Sequence, residues 1–318
     1  MTARITLALL FAIPAALAYP WRSTTDRWLL GVALAVVVVL FAWWRGLFVT
    51  EMLRRRVAIW RRNRAGGGHS RRPEQPATYV TALLRVEPST PDDLPLSLLA
   101  GYVDRYGVRA HKVRVVSRDT AGERTTWIAL TVGATENLAA LRARSPQLPL
   151  RETADVAARR LTDHLREIGW HVTIVTDTDT DTESDSPVPA AARETWRGLQ
   201  TESGHVAAYR VAVDESLPDT LAAISAQEAT ETWTAIDITG TAARPEIIAG
   251  CALLTQERPP ARAPQAGLTP ARGRHRPALA ALAPQSVELL DGHPVTAPED
   301  LLAGLAWPVG RRATAGLS

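Results

Sequence analysis

Asp177-Thr178-Asp179 is the carboxylate pair best placed for chemistry in this 318-residue chain, because it lies just past the strand-like run Val172 to Val175. Two hard oxygen donors one residue apart, just past a strand end, suit a divalent metal held over a nucleotide-sugar pyrophosphate. That chemistry would make the chain a membrane-tethered, metal-dependent nucleotide-sugar transferase working through Asp177 and Asp179. The surrounding segment, Asp177 to Pro189 (DTDTDTESDSPVP), has no apolar residue before Val188, so a plain solvated acidic linker accounts for the same carboxylates. As an EF-hand loop it fails. Counted from Asp177, position six is Thr182 instead of Gly and position twelve is Val188 instead of Glu.

The other reactive side chains point away from catalysis. His164, Glu167 and His171 are near in sequence, but Gly169 separates a helical from a strand-like pattern, so the histidines need not converge on a metal. Lys112 is the one lysine beside 35 arginines; His111 precedes it and Val113 follows, so the Gly-Lys-Ser/Thr of a phosphate-binding loop is absent and the chain is no P-loop motor. Cys251 stands alone in an apolar run, which excludes an intramolecular disulfide and reads as an inert buried thiol. There is no Gly-x-Ser-x-Gly elbow, His-Glu-x-x-His helix or Cys-x-x-Cys pair. Trp127, Trp196 and Trp233 lack an interleaved basic stripe and read as core or interface. These residues imply a non-enzyme with no catalytic group, cofactor or metal.

Charge is divided along the chain. Residues 1–72 hold twelve arginines against Asp26 and Glu51, a formal +10, while the rest carries 24 basic and 31 acidic residues, net −7. A general nucleic-acid binder would place its basic excess on the folded body, so nucleic acid is not an expected partner.

Two uncharged apolar stretches open the chain, Ile5 to Tyr19 and Trp28 to Trp44, the second including Val36 to Leu40. Aromatic residues at their ends (Tyr19, Trp21, Trp28, Trp43, Trp44) suit the headgroup layer, and the reading is a two-helix transmembrane hairpin over residues 1–46. Nine arginines follow the second span, from Arg45 to Arg72, against Arg22 and Arg27 between the spans. The positive-inside rule then puts both termini and the large body in the cytoplasm, with the protein in the inner membrane. Ala16-Leu17-Ala18 also fits a signal cleavage site; cleavage would leave one span and the same topology.

Residues 47–72 form the next segment. Val49, Leu53, Val57 and Trp60 recur at helical spacing, with Arg54, Arg55, Arg61 and Arg62 off the stripe. Together with Trp43, Trp44 and Arg45 they make the candidate interface, an amphipathic helix for anionic membrane lipid or a partner subunit. A stop-transfer flank whose arginines only set topology has the same pattern. A lipid-sensing adaptor without a complex is a third reading. Ala65-Gly66-Gly67-Gly68 gives a flexible joint.

The body changes period. Tyr79 to Val86 reads as a strand, Leu94 to Tyr106 as a helix closed by Gly107, Val108 to Ser117 and Thr125 to Val132 as a strand pair, Asn137 to Arg144 and Glu152 to Ile168 as helices, and Trp170 to Val175 as a strand. Ala154, Ala157, Leu161, Leu165 and Ile168 form the second helix's apolar face. This β-α-β-β-α-β order suits a split βαβ sandwich over residues 73–176. An acidic Asp/Thr linker follows at 177–192. A second unit at 193–318 reads as a short helix at Arg193 to Gln200, a strand at His205 to Val213, a helix at Pro218 to Gln227, strands at Thr230 to Ile238 and Ile247 to Leu254, an exposed Pro/Arg-rich loop at 258–277, and a last short helix at Pro298 to Leu305. Val80-Thr81-Ala82 against Val206-Ala207-Ala208, and a Trp-bearing strand in each half, suggest internal duplication, with the same strand order as its requirement. The fold class is therefore α+β: a transmembrane helical hairpin followed by a cytoplasmic domain of two β-α-β-β-type units.

Ala18-Tyr19-Pro20-Trp21, Trp44-Arg45-Gly46, Asp104-Arg105-Tyr106-Gly107, Leu161 to Trp170 (LTDHLREIGW), Glu194-Thr195-Trp196-Arg197-Gly198 and Leu217-Pro218-Asp219-Thr220-Leu221 together carry a resemblance that runs over most of the chain. In them the chain resembles EccE, a membrane component of the mycobacterial type VII (ESX) secretion systems, and is most similar to the paralogue tied to siderophore-dependent iron uptake. The resemblance implies a two-span inner-membrane scaffold in a core complex with EccB, EccC and EccD, where EccC is the ATPase. It offers no catalytic residues to carry over.

Overall fold

The structure is a computed structural model that describes residues 43–44, 47–64, 78–88, 93–121, 123–145, 149–176, 186–189, 191–298 and 300–310. Both apolar stretches up to residue 42, the Gly-rich joint and Asp177 to Asp185 lie outside the described residues. Among the described residues no helix is long and apolar enough to cross a membrane. The chain divides into two compact units, 1–65 and 66–318.

In the first unit, β1 (Trp43–Trp44) pairs antiparallel with β2 (Leu47–Phe48), and α1 (Val49–Arg64) follows at once. Trp43 and Trp44, read above as the end of a helical span, are thus extended, as the strand preference of aromatic residues favours. Glu51 in the first turn of α1 and Arg61, Arg62 and Arg64 in the last complement the helix dipole at both ends.

The second unit runs β3 (Tyr79–Val86), α2 (Leu96–Ala100) with a 3-10 turn at Gly101–Val103, β4 (Asp104–Arg105), β5 (Val108–Thr120), β6 (Arg124–Gly133), α3 (Leu138–Arg144), α4 (Leu150–Glu167) and β7 (Val172–Val175). It continues with β8 (Arg193–Glu194), β9 (Leu199–Thr201), β10 (Gly204–Val211), α5 (Leu217–Ser225), β11 (Glu231–Thr241), β12 (Arg244–Thr255), β13 (Leu268–Pro270), α6 (His275–Leu282), β14 (Val295–Thr296) and α7 (Leu301–Gly304). One antiparallel sheet has the order β7-β3-β6-β5-β11-β12-β10-β9-β8, with β13 beside β10 and β14 beside β12. The first four strands keep the split βαβ order, β6 lying between β3 and β5. The fold is α+β around one large sheet, and both strand sets share it within a single compact unit.

The two sets also share a strand order: β3-β6-β5 on one side of the central seam and β10-β12-β11 on the other. That agrees with the duplication. The tryptophans do not, since Trp127 lies on β6 and Trp233 on β11, which are not equivalent strands.

Helices cover the sheet because its strands are apolar on both faces. One face buries Leu84, Val113, Val115, Ile128 and Ile236 with Leu99 of α2, Leu161 and Leu165 of α4, and Ile224 of α5. The other buries Val116, Trp127, Trp233 and Ala252 with Leu199 of β9, Leu279 and Leu282 of α6, and Leu290. On α4, Ala154, Leu161 and Leu165 bury as the spacing requires; Ile168 stays exposed because the helix has already ended at Glu167 and Gly169 turns the chain at φ 95°.

Three sequence expectations change. The helix over Leu94 to Tyr106 ends at Val103, and Asp104-Arg105 turn back onto β5 through Tyr106 and Gly107, both at positive φ. Arg193 to Gln200 is a hairpin instead of a helix: the Thr195 N–H and hydroxyl both donate to the Gly198 carbonyl (2.8 Å each), closing a turn between β8 and β9. The 258–277 stretch contains β13 and the start of α6, with Leu268, Ala271 and His275 buried, so it is not simply an exposed arm.

Candidate partner-binding surface

The arginine-flanked stripe sits on α1. Leu53, Val57 and Trp60 are 62%, 48% and 55% exposed, so the helix presents an apolar line to its surroundings. Arg54 and Arg55 both donate to Glu51 Oε1 (3.0 and 3.1 Å). Burial works to raise the Glu51 pKa, and the hydrogen bonds and charges of Arg54 and Arg55 outweigh it and hold the carboxyl below its ordinary value. The Arg64 guanidinium lies over the Trp60 ring at 4.1 Å. Arg61 is exposed and Arg62 half-buried. Trp43, Trp44 and Val49 are placed by backbone only, in β1 and at the start of α1, and Arg45 lies outside the described residues. Chemically, such a face offers apolar area with a basic margin.

The residues singled out for chemistry are dispersed. Asp177 and Asp179 lie outside the described residues. His164 Nδ1 meets the Tyr102 hydroxyl at 3.2 Å. Cys251 is fully buried on β12, and burial pushes its thiol up to about 12. Among the described residues no group of three or more His, Cys, Asp or Glu side chains is placed to hold a metal. Trp127 and Trp233 stack in the core, ring centroids 5.8 Å apart and planes 7° from parallel, and the Trp233 indole N–H donates to Glu231 Oε1 (2.6 Å).

What sequence reasoning missed is a buried charge network at the seam. Arg114 of β5 gives Nε and Nη2 to the two oxygens of Asp237 on β11 (2.5 and 2.8 Å), and its remaining N–H groups go to the carbonyls of Ala281, Ala283 (3.0 Å) and Glu288 (2.8 Å). All five guanidinium donors are used. Asp237 also accepts from the Leu290 N–H (2.9 Å), so the seam is tied to the segment that follows α6. Lys112, two residues along β5, is fully buried and donates to the Glu288 carbonyl (2.5 Å). Burial brings its pKa down to about 7 against the partial support of Asp237. The signal was present: Lys112 and Arg114 occupy alternate positions in an apolar strand, and Asp237 stands between Ile236 and Ile238.

A family model described as "Putative type VII ESX secretion system translocon, EccE" matches residues 120–211. The chain is 52% identical over 298 residues to the ESX-3 secretion system protein EccE3 of Mycolicibacterium smegmatis, covering 94% of this chain and 93% of that protein. It is also 52% identical over 315 residues to the protein of the same name from Mycobacterium tuberculosis strain H37Rv, covering 96% of this chain and 91% of the relative. With identity of this order sustained almost from end to end, the chain belongs to the EccE family of type VII (ESX) secretion system components.

Proposed function

We propose that this chain is a non-catalytic structural subunit that braces the inner-membrane core of an ESX secretion machine, with α1 as its docking element. The hairpin of residues 1–46 anchors it by two spans, and both termini and the body face the cytoplasm. EccB, EccC and EccD are its partners, EccC supplying ATP hydrolysis, and anionic lipid phosphates meet the arginines beside the stripe. The resemblance to the paralogue tied to siderophore-dependent iron uptake extends the reading to support of siderophore-mediated iron acquisition.

The observation that carries it is the line of Leu53, Val57 and Trp60 left exposed beside a basic margin, because apolar side chains at helical spacing on one face are what a partner surface covers. Replacing Leu53 and Trp60 with Glu in the tagged full-length chain should release it from the detergent-solubilised core complex. Unchanged co-purification of EccC and EccD would reject this docking face.

A further inference from the structure

The β4–β5 turn holds a backbone strain that its surroundings do not require. Tyr106 and Gly107 both adopt left-handed conformations (φ 56° and 70°), as in the two-residue hairpin turns that favour Asn-Gly. Gly107 tolerates this; a bulky aromatic residue does so rarely and under strain. Burial does not hold Tyr106 there, since it is 54% exposed. Instead its ring stands between the guanidinium groups of Arg105 (5.1 Å) and Arg160 (4.8 Å). Arg105 also lies over Tyr102 (4.8 Å), whose hydroxyl donates to the Arg160 carbonyl (3.2 Å).

Beside this turn a cavity of about 230 Å³ opens between the β4–β5 hairpin and the first turns of α4. Val108, Leu130, Val132 and Val156 give it apolar walls, and Arg105, Arg144 and Arg160 stand around it. Among the described residues of its lining Glu152 is the one carboxylate. None of the three arginines has an ion pair with a carboxylate among the described residues; Arg144 donates only to the Thr153 hydroxyl (3.3 Å). Their positive potential is local, because the chain beyond residue 72 is net negative.

We propose that this cavity is a docking site for an acidic peptide segment of a partner protein, one large apolar side chain entering the cavity and flanking carboxylates meeting Arg105, Arg144 and Arg160. The volume suits a single large side chain, and the apolar walls give a bare phosphate nothing to bury. Guanidinium groups pair with carboxylates through two parallel hydrogen bonds, which gives the rim its selectivity for acid over amide. Tyr106 is the aromatic wall, and its strained backbone aims the ring at the occupant. The site lies on the second compact unit and does not depend on the α1 docking face.

The test is peptide selection on the full-length chain in detergent, using a displayed random-peptide library, followed by affinities for one synthetic selected peptide. The expected consensus is one Phe, Leu or Trp flanked by Asp or Glu. Arg144→Glu with Arg160→Glu should weaken that peptide at least tenfold with an unchanged melting temperature. Tyr106→Gly should weaken it several-fold while raising the melting temperature, a split that a purely structural tyrosine would not produce. A selection that returns no acidic consensus, or peptides that bind the charge-reversed variant equally well, would overturn the proposal. Arginine-dependent binding to phosphatidylglycerol vesicles that the peptide does not compete would overturn it in favour of a lipid site.

Discussion

Arg114 and Asp237 are direct cross-strand neighbours at the seam where β5 meets β11, joined by two hydrogen bonds with neither side chain exposed. The seam is where two strand sets of the same order meet, so this pair binds the halves of the sheet. Removing one partner leaves a charge buried without its counterion, which costs about 3–5 kcal/mol. Asp237→Leu and Arg114→Met should each lower the unfolding free energy of the full-length protein by that order. The double variant Arg114→Met with Asp237→Leu should cost less than the two single changes added together, because an apolar pair leaves no orphan charge. Additive losses would show that the two residues are not coupled.

Lys112 makes stability depend on pH on the alkaline side. Its pKa falls from an ordinary 10.5 to about 7 because burial disfavours the ammonium, against the opposing pull of Asp237. Between those values the unfolded chain holds a proton that the folded chain lacks, so stability rises as pH increases from about 7 toward 10.5. Lys112→Met removes that slope. Urea unfolding at pH 7 and pH 9.5 should show wild type gaining on the variant at the higher pH; a constant difference would refute the buried lysine's role.

Much of this body could be read from residue periodicity. Tyr79 to Val86 is a strand end to end, and the spacing of Ala154, Leu161 and Leu165 gave α4 its buried face. The misreadings share a cause: a local hydrogen bond or turn overrode the pattern. At Arg193 to Gln200 the Thr195–Gly198 turn decided for a hairpin, and the helix expected to reach Tyr106 stops at Val103 because Asp104-Arg105 fold back onto β5 through the tight turn at Tyr106-Gly107. The seam network was hidden for another reason. Arg114 and Asp237 are 123 positions apart, and only the strand order makes them neighbours. On the interface side, the stripe at Leu53, Val57 and Trp60 was legible because exposure leaves helical spacing intact, whereas the cavity beside Tyr106 is assembled from β4, β5, β6, α3 and α4 and has no sequence period at all.

His275 acts on the acid side. It is buried at the start of α6, accepts from the Ala208 N–H through Nδ1 (3.2 Å), and is brought down to about 4, chiefly by burial, with Arg272 adding to the shift and the Trp196 carbonyl opposing it. Between about 4 and the ordinary 6.5 the unfolded chain binds a proton that the fold refuses, so the stabilising contribution is whole above 6.5 and drains away as pH falls toward 4. His275→Asn offers a non-titrating acceptor at a similar position. Its melting temperature should fall less than that of wild type between pH 6.5 and pH 4.5. Parallel declines would assign the acid sensitivity to other groups.

Cys251 supplies the readout for all of these unfolding measurements. It is the only cysteine in the chain, fully buried on β12 between β10 and β11, and burial holds its thiol at about 12, far from the thiolate that reacts. Native protein should therefore resist iodoacetamide at pH 8, and labelling should follow the opening of the central strands. Asp237→Asn should speed labelling, since the seam it weakens lies one strand away on β11. Leu53→Glu and Trp60→Glu on α1 should leave the labelling rate as it is, because that helix belongs to the other compact unit. Rapid modification of the native wild type would contradict the buried position of β12 in the sheet.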